Sequence, residues 1–264
     1  MDHLKLAYSL AGAFVGFLVG LTGVGGGSLM APILILLGFN PAVAVGTDLW
    51  FACLTKTVGG VVHHRIGSPD WKTIVRLAIG SLPAAVITLW WLATYHQGHL
   101  QSKVLMDLLG VVLLITAALM IFKNRIVRPL RVAHLALEQR MRKARSSQIV
   151  LTILGGAIVG VLVTLTSVGA GALIAVMLAL IYPLRLDAKS IVGTDIIHAI
   201  PLTLVAALGH SWLGNVNAWL LASLLIGSIP GIIFGSLIAG KVSDNLVRYA
   251  LSAMLVVSAV KMLA

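Results

Sequence analysis

The residues best placed to do chemistry lie in two polar interruptions of long apolar runs. Thr22-Gly-Val-Gly-Gly-Gly-Ser28 breaks one run, and Thr166-Ser-Val-Gly-Ala-Gly-Ala172 breaks another 144 positions later. Backbone this rich in glycine makes a poor helix interior. At membrane depth such a break survives only where protein buries it or a wet cavity receives it. Where the helix restarts, near Ser28 or Ala172, free N–H groups and the positive dipole end favour an anion. The backbone of Gly25, Gly26, Gly27, Gly169 and Gly171 supplies such N–H groups. The hydroxyls of Thr22, Ser28, Thr166 and Ser167 add donors for oxyanion oxygens. The competing reading is close helix packing, with the hydroxyls bonded to nearby backbone. Matched breaks in two halves favour a ligand site.

Charged residues inside apolar runs form the second group. Asp48 and Asp195 each lie about two turns inside a helix, preceded by Thr47 and Thr194. An intramembrane carboxylate is a functional candidate, because burial raises its pKa and lets it carry a coupling proton. Equally open is a structural role, each Asp–Thr pair accepting N–H groups exposed by a broken hairpin. Lys56 sits near the middle of its run, and its counterpart in the second half is Thr203. It can supply charge to an anion, balance Asp195 or snorkel to the bilayer surface. Helical spacing turns it about 80° from Asp48, which argues against direct pairing. His198, one turn beyond Asp195, can share that residue's proton. His63, His64 and His210 fall at predicted helix ends, near water, and Asp107 falls near an outer helix end.

Other chemistry is excluded. His96-Gln-Gly-His99 has ligand spacing but no Cys, Asp or Glu close by, so no metal site is expected. Gly23-Val-Gly25 lacks both the third glycine and the βαβ context of a dinucleotide fingerprint. No cofactor is expected. The lone Cys53 excludes a disulfide framework and reads as a small buried hydrophobe.

These residues must be positioned by membrane helices. The chain is 59% hydrophobic and 10% charged over 264 residues, which no soluble domain matches. The fold class is therefore all-α, a polytopic helical membrane protein. The predicted elements are a broken segment (6–21 and 29–37), then helices at 41–62, 73–94 and 104–122. A second broken segment (149–166 and 172–182) precedes helices at 188–209, 217–239 and 246–263. The net charge of +11 does not point to nucleic acid, because eight of the 19 basic residues lie between Lys123 and Arg145. Such a cluster reads as a cytoplasmic loop near anionic headgroups. Its amphipathic stretch from Val132 is expected to lie on the lipid surface.

The two halves are a repeat. Val45-Gly-Thr-Asp48 returns as Val192-Gly-Thr-Asp195, and Gly80-Ser-Leu-Pro83 as Gly227-Ser-Ile-Pro230, both 147 positions on. Gly12-Ala-Phe-Val-Gly16 returns as Gly156-Ala-Ile-Val-Gly160, so the first segment reads as a retained part of the fold rather than a signal peptide. Charge then orients the copies. If each broken segment is a hairpin, all basic residues outside the spans lie inside except Lys5, Lys103 and Lys261. Eight crossings with parallel halves would instead leave Arg185, Lys189, Lys241 and Arg248 outside. The positive-inside bias favours two inverted repeats, each a re-entrant segment plus three spanning helices. Residues 1–123 and 148–264 are the repeats, joined by a basic cytoplasmic linker at 124–147. The weak point is length, since the sixteen residues from Leu6 to Leu21 reach about 24 Å.

With these residues in view, the chain resembles the TauE/SafE family of transporters for sulfite, organosulfonates and related sulfur anions. Gly20-Leu-Thr-Gly-Val-Gly-Gly-Gly-Ser28 with Pro32, and the two Val-Gly-Thr-Asp motifs, carry the resemblance. The second break departs from it, lacking the full glycine run and the closing serine. The resemblance implies a non-enzymatic secondary transporter in the cytoplasmic membrane, exporting a small sulfur-containing oxyanion. An anion channel is the first alternative, and a membrane enzyme or non-transporting subunit the second. The expected partners are that anion and the lipid bilayer, with a homodimer open and no nucleic acid.

Overall fold

The computed structural model describes residues 2–22, 29–64, 69–137, 145–169, 171–182, 185–238 and 242–264. The first break, including Gly25, Gly26, Gly27 and Ser28, lies outside the described residues, and the side chain of Thr22 does too. Ten helices and no strands appear among the described residues. They are α1 (Asp2–Thr22), α2 (Met30–Leu36), α3 (Pro41–His64), α4 (Trp71–Tyr95) and α5 (Ser102–Leu137), followed by α6 (Arg145–Thr166), α7 (Ala172–Ile181), α8 (Ala188–Trp212), α9 (Ala218–Ile238) and α10 (Asp244–Leu263). Six helices are long and apolar enough to cross a membrane: α4, the stretch of α5 up to Phe122, α6, α8, α9 and α10. α3 is as long, at 24 residues, but carries Asp48 and Lys56. Helix α5 departs from expectation. It runs on to Leu137, through residues assigned to the linker, because arginine and leucine favour helix as well as the apolar run does.

Both broken segments fold back on themselves. Gln148, at the start of α6, donates from Nε2 to the carbonyl of Ile181 at the end of α7 (3.0 Å). One turn on, the Thr152 and Tyr182 hydroxyls bond at 2.8 Å. In the first segment the Tyr8 ring meets Phe39 edge-on at 5.3 Å, closing the same kind of hairpin around α1 and α2. The arms are unequal. α1 and α6 have 21 and 22 residues, about bilayer length, whereas α2 and α7 have only 7 and 10.

Packing exchanges elements between the halves. α1 lies against α9, and α6 against α4, each pair parallel and seamed with glycine. A Cβ at Gly16 would sit 2.4 Å from the carbonyl oxygen of Ser228, and one at Gly160 would sit 2.4 Å from that of Ser81. Only glycine allows such an approach. α3 and α8 meet each other in the antiparallel sense, as Trp50 Nε1 bonds to Ser211 Oγ (2.7 Å) while Cys53 Sγ reaches the Ile200 carbonyl (4.0 Å). Cys53 is buried, as its surroundings in the sequence imply.

Polar groups gather at the two ends of this bundle. At one end Asp70 pairs with Arg185, whose guanidinium stacks over Tyr182, and Arg76 bonds to the Tyr182 hydroxyl (3.2 Å). At the other, Asn215 donates to the Gly98 carbonyl (2.7 Å) and His210 Nε2 meets the Thr164 carbonyl (2.9 Å). His210 is buried, contrary to its expected place near water, because α6 and the 213–217 turn close over the end of α8.

Candidate functional site

The crossing of α3 and α8 buries the intramembrane charges together. Asp48, Asp195 and His198 are fully buried, and Lys56 is only 7% exposed, so it does not snorkel. Register explains the grouping. Three residues past Cys53 and three before Ile200, Lys56 comes level with Ile197, between Asp195 and His198. Its ammonium acts first on Asp195, then on Asp48, and also reaches the His198 ring. Of its three possible roles, balancing Asp195 is the one this packing favours. The crossing thus carries one ammonium between two carboxylates.

The other expected site residues that fall among the described residues each have a definite place. Asp48 Oδ2 accepts from the backbone N–H of Ala31 (3.2 Å), pinning the start of α2 to α3. The alternative role for the carboxylates, receiving an N–H freed by a broken hairpin, is therefore filled by Asp48. Its Oδ1 faces the Ser167 hydroxyl of the second break without closing a full hydrogen bond. Ser167 itself holds φ +57°, and Gly169 holds φ +112°, so the chain leaves α6 through left-handed backbone. Thr166 turns inward to its own backbone, donating to Leu162 (2.6 Å) and accepting from Val168 N–H (3.1 Å). Gly171 is the N-cap of α7.

Thr47 and Thr194 do something the sequence did not suggest. Thr47 Oγ1 accepts from the N–H of Asn217 (3.1 Å), and Thr194 Oγ1 from the N–H of Asp70 (3.0 Å). Asn217 and Asp70 open α9 and α4, so each threonine fastens the start of a helix in the opposite half of the chain rather than a hairpin. His198 likewise engages a residue that sequence reasoning missed. Its Nε2 lies 2.8 Å from Ser81 Oγ on α4, while Nδ1 has no hydrogen-bond partner among the described residues. Ser81 belongs to the repeated Gly-Ser-x-Pro motif, the one signal that could have singled it out. Among the described residues no three His, Cys, Asp or Glu side chains gather as a metal site.

Chemically, the crossing offers donors and proton carriers buried within the bundle. A lysine ammonium, a histidine with one nitrogen to spare and two carboxylates can hold an anion and trade protons with it.

Comparison with known proteins identifies the family. The sulfite exporter TauE/SafE family matches residues 8–262. The chain is 39% identical over 264 residues to a protein of Bacillus subtilis described as the probable membrane transporter protein YjnA, covering 98% of this chain and 100% of the relative. It is 26% identical to the probable membrane transporter protein YdhB of the same organism, over 84% of this chain and 85% of the relative. The probable membrane transporter protein MJ0441 of Methanocaldococcus jannaschii is 27% identical over 90% of this chain and 85% of its own. No solved structure matches. The chain belongs to the sulfite exporter TauE/SafE family of membrane transporters and is a multi-pass membrane protein.

Proposed function

We propose that this member of the sulfite exporter TauE/SafE family is a secondary transporter for a small sulfur-containing oxyanion. Sulfite, sulfoacetate or another organosulfonate leaves the cell through it across the cytoplasmic membrane, and protons are coupled to that movement. The observation that carries the reading is the buried Lys56 between Asp195 and Asp48 where α3 crosses α8. Structural burial of three charges in a membrane interior is costly, and such groups mark ion pathways and proton relays.

The membrane arrangement we propose is two inverted repeats, residues 1–123 and 148–264, around a linker at 124–147. Support comes from the antiparallel meeting of α3 and α8 and from both hairpins. Parallel halves would make those equivalent helices run the same way. The Asp70–Arg185 end, with Lys72 and Lys189, is then the cytoplasmic end by the positive-inside bias.

Flux in proteoliposomes tests the reading. Purified protein should carry labelled sulfite or sulfoacetate with saturation and respond to an imposed pH gradient. Linear flux indifferent to the gradient would make it a channel, and no flux of any sulfur oxyanion would overturn the assignment.

A further inference from the structure

The pseudo-symmetry creates two equivalent half-sites, one about each Asp, and their contents differ. Around Asp195 stand Lys56 on α3, His198 on α8 and Ser81 on α4. The positions 147 residues away, around Asp48, hold Thr203, Phe51 and Ser228. In that second half-site the Thr203 hydroxyl is spent on the Ala199 carbonyl (2.8 Å), the Ser228 hydroxyl turns to Leu225, and Phe51 is fully buried. The Thr203 and Ser228 hydroxyls are thus satisfied by their own helices, and Phe51 fills with an apolar ring the position that His198 holds in the other half-site.

The Asp195 half-site is different in kind. His198 is fully buried, Ser81 holds its Nε2, and Nδ1 is left with no partner among the described residues. If Ser81 donates to Nε2, the ring proton sits on Nδ1 and points a donor at whatever occupies the site. A buried donor without a partner is costly, and an oxyanion supplies the acceptor it lacks. The Lys56 ammonium lies within electrostatic reach of the same ring. Among the described residues, the charged groups facing this position are Lys56 and Asp48 from α3 and Asp195 from α8, and α4 contributes the Ser81 hydroxyl.

We infer that the oxyanion binds in one half-site only, held by the Lys56 ammonium and the Nδ1–H of His198, with Ser81 fixing the imidazole. This rests on the reading of the protein as an oxyanion transporter. The half-site is displaced from the Cys53–Ile200 contact toward the Asp70–Arg185 end, so an exported anion is captured on the side where basic residues concentrate. Occupancy also redirects Lys56, which turns from Asp195 to the anion.

The test is anion binding to purified full-length protein, read by calorimetry with sulfite and sulfoacetate as probes. Lys56→Thr and His198→Phe install the residues of the other half-site, and each should weaken binding about tenfold or more. His198→Asn places an amide N–H near the Nδ1 position and should keep affinity within about threefold. His198→Gln, whose amide reaches the Nε2 position instead, should not. Thr203→Ala in the other half-site should bind as the parent does. If the parent protein binds neither probe, the oxyanion reading itself fails. If the parent binds and folded, monodisperse Lys56→Thr and His198→Phe proteins bind equally well, the one-sided site is wrong.

Discussion

Cys53 and Ile200, 147 residues apart in sequence and equivalent in the repeat, face each other with Sγ 4.0 Å from the carbonyl oxygen. Under the proposed inverted repeats, such a meeting of equivalent residues marks a local two-fold axis. The antiparallel run of α3 and α8 there supports that proposal, in which the axis lies in the membrane plane. Single cysteines at Lys72 and Lys189, in a Cys53→Ser background, should therefore both react with an impermeant maleimide from the cytoplasmic side. Labelling of the Lys189 position from outside would restore parallel halves.

The glycine seams carry a separate expectation about stability. A methyl at Gly16 would press on the Ser228 backbone at 2.4 Å, and two helix backbones cannot yield as a side chain can. Gly16→Ala should cost about 1–3 kcal/mol and lower the melting point in detergent. Gly38 makes a contrast, with φ +90° and nothing within 4 Å of an added Cβ. Gly38→Ala should cost only its backbone strain, about 1–2 kcal/mol. A seam substitution that melts no lower than the parent would mean α1 and α9 pack less tightly than described.

Asp195 is the carboxylate nearest the proposed anion position, and its partner is Lys56. When the anion takes over the ammonium, the carboxylate is left buried without its counter-charge, and a proton replaces it. Anion binding should then take up a proton, and binding should weaken as the pH rises. Asp195→Asn removes the titrating group but keeps the shape. That variant should bind anion with little pH dependence and lose most pH-gradient-driven flux in proteoliposomes. Full gradient dependence in the variant would end the proton role for this residue.

Much of this architecture was written in one-dimensional pattern. Long apolar runs marked the helices, and the glycines at 169 and 171 marked the second break. Partnerships across helices were less legible. Balancing Asp195 was one of three roles left open for Lys56, and it took the register of α8 to favour it. Thr47 and Thr194 looked like companions of the aspartates, but their side chains point to the starts of α9 and α4. The basic run read as a linker after a helix ending at 122, whereas α5 continues into it as far as Leu137. Periodicity reports which face is apolar, not which neighbour fills it.

The breaks themselves give the last expectation. Gly169 holds φ +112°, where a β-branched residue is strained, and a Cβ there would also press on Leu173 at 2.7 Å. Gly169→Val should therefore distort the turn that brings Ser167 to Asp48, at a cost of about 1–3 kcal/mol. Binding should fall only modestly, because the proposed anion position lies in the other half-site. Gly26→Val, in the fuller glycine run, should remove binding altogether while the protein still inserts. Ser28→Ala should weaken it about ten- to a hundredfold, the range for one lost hydrogen bond to a charged group. Size-exclusion profiles of each variant separate a misfolded protein from one that has lost its site. Equal binding by Gly26→Val and parent protein would reduce the first break to a packing device and leave the anion to Lys56 and His198 alone.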